Sequence, residues 1–146
     1  MPHAQHRPNP ARRQFALGAA ALCGLATLTG PAHAQSPALT GTWVLSWRGA
    51  RDSYEGTLEI RPATAPTLYT GRLLLRASRG GIVNEDASIV VSGNEVRIEC
   101  SNPTFQGFDS WSPDRFYLTR KGPNRMTGYS LDAMGNRGQA AVFERI

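Results

Sequence analysis

Carboxylates are the main chemistry this sequence offers. Glu85 and Asp86 are adjacent, Asp109 and Asp114 lie close together, and acids clustered in this way can act as general acid and base or hold calcium. Spacing alone leaves each cluster open between a shared site and two residues flanking a turn. The three histidines, His3, His6 and His33, all precede residue 35. The chain beyond that point has no imidazole, which excludes Ser-His-Asp and Cys-His nucleophilic centres and every histidine-based metal site. No catalytic residue, metal or cofactor is assigned. Cys100 is the one thiol after residue 35, so no internal disulfide forms there. It reads as a buried, inert thiol on the apolar side of its run, with an intermolecular disulfide as the alternative.

Aromatic side chains offer binding rather than catalysis. The segment 102–114 carries Phe105, Phe108 and Trp111 among prolines, a glycine and aspartates. A connection of this length in a compact domain is uncommon unless it folds over something. It reads as a lid with aromatic surface for an apolar or ring-shaped ligand, or as a cap on the core. Trp47, Leu58, Ile60, Leu73 and Leu75 are the expected lining beneath it.

The elements that must position these residues are strands. Past residue 35 there is no helical periodicity; short runs alternate apolar and polar, with turn residues between them. Eight strands are expected, at 41–48, 54–61, 68–76, 86–92, 95–101, 115–120, 125–132 and 138–145. Turn sequences such as Ser92-Gly93-Asn94 and Lys121-Gly122-Pro123-Asn124 link neighbours in an antiparallel meander. Val96, Ile98 and Cys100 face one way while Glu95, Arg97 and Glu99 face the other, so one side of the sheet is wet. That pattern is the reverse of an outer-membrane barrel, whose outward face is apolar. A long sheet with one apolar face closes on itself or packs on a second sheet, and closure removes its edges. Gly41, Gly56, Gly71 and Gly128 fall inside strands, where they suit the sharp bends of a barrel.

Residues 1–34 have the order of a cleavable signal peptide. Arg12 and Arg13, followed by Gln14 and Phe15, mark the twin-arginine type, and Ala32-His33-Ala34 places cleavage before Gln35. The expected partner during export is the twin-arginine translocase, and the expected location is periplasmic or secreted. The apolar run is shorter than a spanning helix needs, so the mature form, 35–146, is expected as one small β-barrel domain that does not span a membrane. Removal of the signal leaves 13 basic residues against 11 acidic ones and lowers the formal charge from +5 to +2. The remaining basic residues are interspersed with acids, which excludes a phosphate-neutralising stripe and hence nucleic-acid binding.

The opening Leu39-Thr40-Gly41-Thr42-Trp43 resembles the Gly-x-Trp start of lipocalins and, equally, the first strand of avidins, both small barrels of the calycin type. The resemblance implies an eight-stranded up-and-down barrel in which Trp43 plugs the closed end and a basic residue of the last strand lies across it. Arg145, on one face with Ala141 and Phe143, fits that place as a structural cation–π partner. The residues that hold biotin in avidins do not align, so biotin is not implied. The expected function is an exported binding protein holding a small, largely apolar molecule in the barrel. The alternatives are a protein-interaction barrel, as in periplasmic protease inhibitors of comparable fold, and a carboxylate-only enzyme such as an isomerase or cyclase.

Overall fold

The computed structural model describes residues 39–49, 52–64, 68–132 and 134–146. The twin-arginine and cleavage-site readings on Arg12, Arg13, Phe15, Ala32 and Ala34 lie outside the described residues.

Alternation is the local cause of the fold. In β1 (Gly41–Arg48), Trp43, Leu45 and Trp47 are buried while Val44, Ser46 and Arg48 are exposed, as a period-two strand with one apolar face requires. Seven more strands follow: β2 (Ser53–Pro62), β3 (Leu68–Ala77), β4 (Ile82–Ser92), β5 (Glu95–Gln106), β6 (Arg115–Gly122), β7 (Arg125–Leu131) and β8 (Arg137–Arg145). Each pairs antiparallel with its sequence neighbour, and β1 also pairs with β8, closing the sheet into a barrel in the order β1 to β8. The register sets Trp43 opposite both Leu58 and Arg145. The two-residue turn Gly93-Asn94 links β4 to β5, with Gly93 at φ 59°, a conformation open to glycine at little cost.

An eight-stranded barrel has an interior just wide enough for side chains to fill. Here Trp43, Leu58, Leu75, Ile98, Phe116, Met126 and Phe143 all have 0% exposure. A side chain beside a water-sized void would show accessible surface, so the bore is packed at their level. Gly56 and Gly128 leave no room for a side chain. A Cβ there would run into the carbonyl oxygens of Leu74 and Tyr117 on the adjacent strands.

Two strands are longer than their alternation suggests. β4 starts at Ile82 rather than 86, and β5 runs to Gln106 rather than 101. The expected 102–114 loop is therefore reduced to 107–114, and Phe105 lies on β5 with its side chain 40% exposed. The cause is a β-bulge: pairing jumps from Asn84↔Thr104 to Asp86↔Ser101, so Asn102 and Pro103 together oppose Glu85. Asn102 takes φ 52°, and Pro103 has no N–H for the ladder. Both features break the period-two pattern.

Candidate functional site

The two ends of the barrel differ. At the closed end Trp43 is fully buried, its indole N–H donates to the Leu39 carbonyl at 2.9 Å, and Arg145 Cζ lies 4.8 Å from the centre of its ring. Leu58, Ile60, Leu73 and Leu75, expected to line a ligand, are core residues of 0–2% exposure, set against other side chains rather than open space.

The open end is built where β5 and β6 part. They pair only over Glu95–Glu99 and Thr119–Arg115, after which the Cys100 N–H donates to the Asp114 carbonyl at 2.9 Å. Segment 107–114 returns through the gap above. Its Trp111 and Phe108 pack with ring centres 4.8 Å apart, and Trp111 meets Tyr54 edge-on at 5.6 Å. Tyr54 stacks on Trp47 at 4.8 Å, Trp47 meets Phe116 at 5.1 Å, and Phe116 meets Phe143 at 5.3 Å. A continuous aromatic row thus runs from segment 107–114 into the core.

Beneath Trp111 lies an acid pair whose two members the sequence placed in separate clusters. At the bulge Asp86 points outward, held by Arg72 at 3.0 Å and Asn102 at 3.1 Å, and alternation turns Glu85 inward to 1% exposure. The backbone N–H of Asp114 donates to both Glu85 oxygens, at 3.3 and 3.4 Å. Burial pushes the Glu85 carboxyl above the usual carboxylate range, partly offset by hydrogen bonding from Asp114, Cys100 and Trp111. Burial, reinforced by the Glu85 charge, pushes Asp114 up to about 9. The pair therefore holds a shared proton at neutral pH and titrates as a unit. Burial and the two neighbouring acids push the Cys100 thiol far above its usual value, which keeps it protonated and unreactive. The Trp111 indole N–H is buried over the pair and acts on both carboxyls. Asp109, the remaining acid of the sequence clusters, is exposed on the returning segment.

Above the pair is a recess of about 260 Å³ lined by Trp47, Tyr54, Trp111, Leu131, Asp114 and Asp132, with the rest of its wall from 110–113. The Asp132 carboxylate accepts the Asn136 N–H at 2.7 Å and its Nδ2 at 3.1 Å, which holds its pKa below the ordinary value. Tyr54 is pushed up by burial first, then by Asp52 and Asp114.

Designed barrels share this fold. A de novo designed fluorescence-activating β-barrel aligns at 26% identity and TM-score 0.54, covering 73% of this chain and 93% of its own. Redesigned barrels mFAP0 and mFAP1, each bound to DFHBI, align at 16% and 17% identity with TM-scores of 0.59 and 0.58, covering 73% of this chain and 98% and 94% of theirs. No protein family and no curated protein matches the chain.

With that fold in place, the sequence candidates divide. The structure brings Trp47 and Trp111 together at the mouth, with Phe108 behind Trp111; Phe105, paired with the inward-facing Val83, shares that inner face at the end of β5 but is 40% exposed and lines no part of the recess. Tyr54, Leu131 and Asp132 join them without having been singled out. Tyr54 stands at the start of a strand with no distinctive neighbours, and only the cross-strand register with Trp47 reveals it. Among the described residues no group of three histidines, cysteines or acids is placed to hold a metal ion. Two further depressions, of about 440 and 510 Å³, lie on the outer wall, over β1–β3 and β4–β8 respectively. The second includes a ladder in which Arg97 and Arg137 cover the outer faces of stacked Tyr117 and Tyr129.

Proposed function

We propose that this chain is an exported binding protein, periplasmic or secreted, that holds a small, largely apolar, ring-bearing molecule at the mouth of a lipocalin-like barrel. The observation that carries the reading is the recess of about 260 Å³ that Trp47, Tyr54, Trp111 and Leu131 line together with Asp114 and Asp132, bounded by the returning segment. It lies at the small end for ligand sites, which suits one or two rings rather than a lipid chain. That designed barrels of the same fold hold the dye DFHBI supports the architecture's capacity for such a guest. The export part rests on Arg12-Arg13-Gln14-Phe15 and Ala32-His33-Ala34.

The test is native mass spectrometry of the purified protein together with solvent extraction. A co-purifying small molecule, lost in Trp111→Ala, supports the reading. A second reading is favoured by the filled bore: a protein-interaction barrel, comparable to periplasmic protease inhibitors, in which the loops meet the partner. An empty protein whose tryptophan fluorescence is unchanged on titration with small ring compounds would decide for that reading.

A further inference from the structure

On the outer wall the register of an antiparallel sheet sets side chains of neighbouring strands side by side. Arg97 of β5 is paired with Tyr117 of β6, Tyr117 is paired with Tyr129 of β7, and Arg137 at the start of β8 reaches back over Tyr129. The two rings are 6° from parallel with centres 5.9 Å apart, and the guanidinium carbons of Arg97 and Arg137 stand 4.8 and 4.4 Å from the rings they cover. Each ring thus has one face toward the other ring and one toward a cation, so neither offers a free face to a nucleobase. What the ladder presents outward is positive charge. Both arginines are exposed and held by the rings, and neither has a carboxylate partner among the described residues. Arg125, on the same wall, is by contrast paired with Glu144 at 3.1 Å. All four ladder residues line the depression of about 510 Å³, in which Glu95 is the one carboxylate among the described residues.

We propose that this wall docks an extended acidic segment of a partner protein, in which two carboxylates four residues apart meet Arg97 and Arg137. The ladder crosses four strands, and strand spacing puts its ends about 14 Å apart. In an extended chain one face recurs every second residue at about 3.4 Å per residue, so positions i and i+4 span the same distance. A guanidinium already fixed against a ring loses little further freedom on binding, and its fork donates two parallel N–H bonds to a carboxylate. Val90, Ser92 and Thr119 offer apolar and hydroxyl contacts to the residues between the two acids. Nucleic acid has the matching charge but needs free ring faces or a longer basic row, and the ladder provides neither. The surface lies on the outer wall, so the proposal is independent of the reading of the mouth.

Two fluorescein-labelled heptapeptides of serine, threonine and valine test it, one with glutamate at its second and sixth positions and the other with glutamine there. Each is titrated with the purified protein at low salt and read by fluorescence anisotropy. The glutamate peptide is expected to bind about tenfold more tightly than its glutamine counterpart, an advantage that shrinks at high salt. Arg97→Gln and, separately, Arg137→Gln should each weaken the glutamate peptide about fivefold, and a folding defect in one leaves the other to decide. Arg125→Gln removes the same charge from the same wall but outside the ladder, and should change the affinity by about twofold or less. Equal binding of the two peptides, or a loss in Arg125→Gln as large as in the ladder variants, overturns the proposal. So does an absence of binding, or tighter binding of a labelled thymidine heptamer than of the glutamate peptide. None of these outcomes bears on the recess at the mouth, which the co-purification experiment tests.

Discussion

The Arg145 guanidinium lies 4.8 Å from the centre of the Trp43 ring, joining the last strand to the first where β8 meets β1. Trp43 is fully buried, so its ring face is desolvated and the attraction is little screened. Arg145→Met keeps much of the aliphatic stem and removes the charge. We expect a loss of about 0.5–2 kcal/mol in urea unfolding with an unchanged slope. An unaltered midpoint would show that the cation adds nothing to closure.

Stability should depend on pH through the acid pair. Asp114, raised from 3.8 to about 9, binds its proton more tightly folded than unfolded. Its contribution is therefore fully present below the unfolded value and lost as pH rises through the window up to the folded one. Asp132 has the opposite sign, since its pKa is lowered, and acts only at more acidic pH. Melting temperature should fall between pH 5 and pH 9, a range set by the shift about Asp114. Asp114→Asn should flatten that fall and raise stability at pH 8 by about 1–3 kcal/mol. A variant with the parent's pH profile would place the titration elsewhere.

Gly128→Ala should be severe. The added carbon meets the Tyr117 carbonyl and the Leu118 Cα, both backbone atoms that no rotamer change can move. The expected cost is about 3 kcal/mol or more, read as a lowered melting temperature or as material that fails to fold. Gly93→Ala, at a turn where nothing lies within 4 Å, should cost only about 1–2 kcal/mol from its φ of 59°.

Export is tested on the precursor. Replacing Arg12 and Arg13 together by lysine should leave uncleaved protein in the cytoplasm, detected by fractionation and by intact mass. Secretion at the parent level would assign the signal to the general route.

Strand number, order and most boundaries were legible because each strand has one apolar face, as Val96, Ile98 and Cys100 show against Glu95, Arg97 and Glu99. The alternation failed where β4 and β5 are bulged. An inward acid at Glu85 reads as a turn because the pattern expects an apolar residue there, so the first four residues of β4 were missed. The Asn102-Pro103 bulge shifted the phase of β5 in the same way. The meeting of Glu85 with Asp114, 29 residues apart, follows from the parting of β5 from β6, which no local spacing encodes.

Beyond Glu99 the flank of β5 turned away from β4 runs without β6 beside it, so Ser101–Gln106 presents backbone groups on that side. Such a row is what a stray chain needs to add itself to a sheet. Pro103 brings no N–H to this stretch, and the bulge at Asn102 and Pro103 breaks its regular spacing. The bulge that turns Glu85 inward thus also guards the rim against aggregation through an incoming strand.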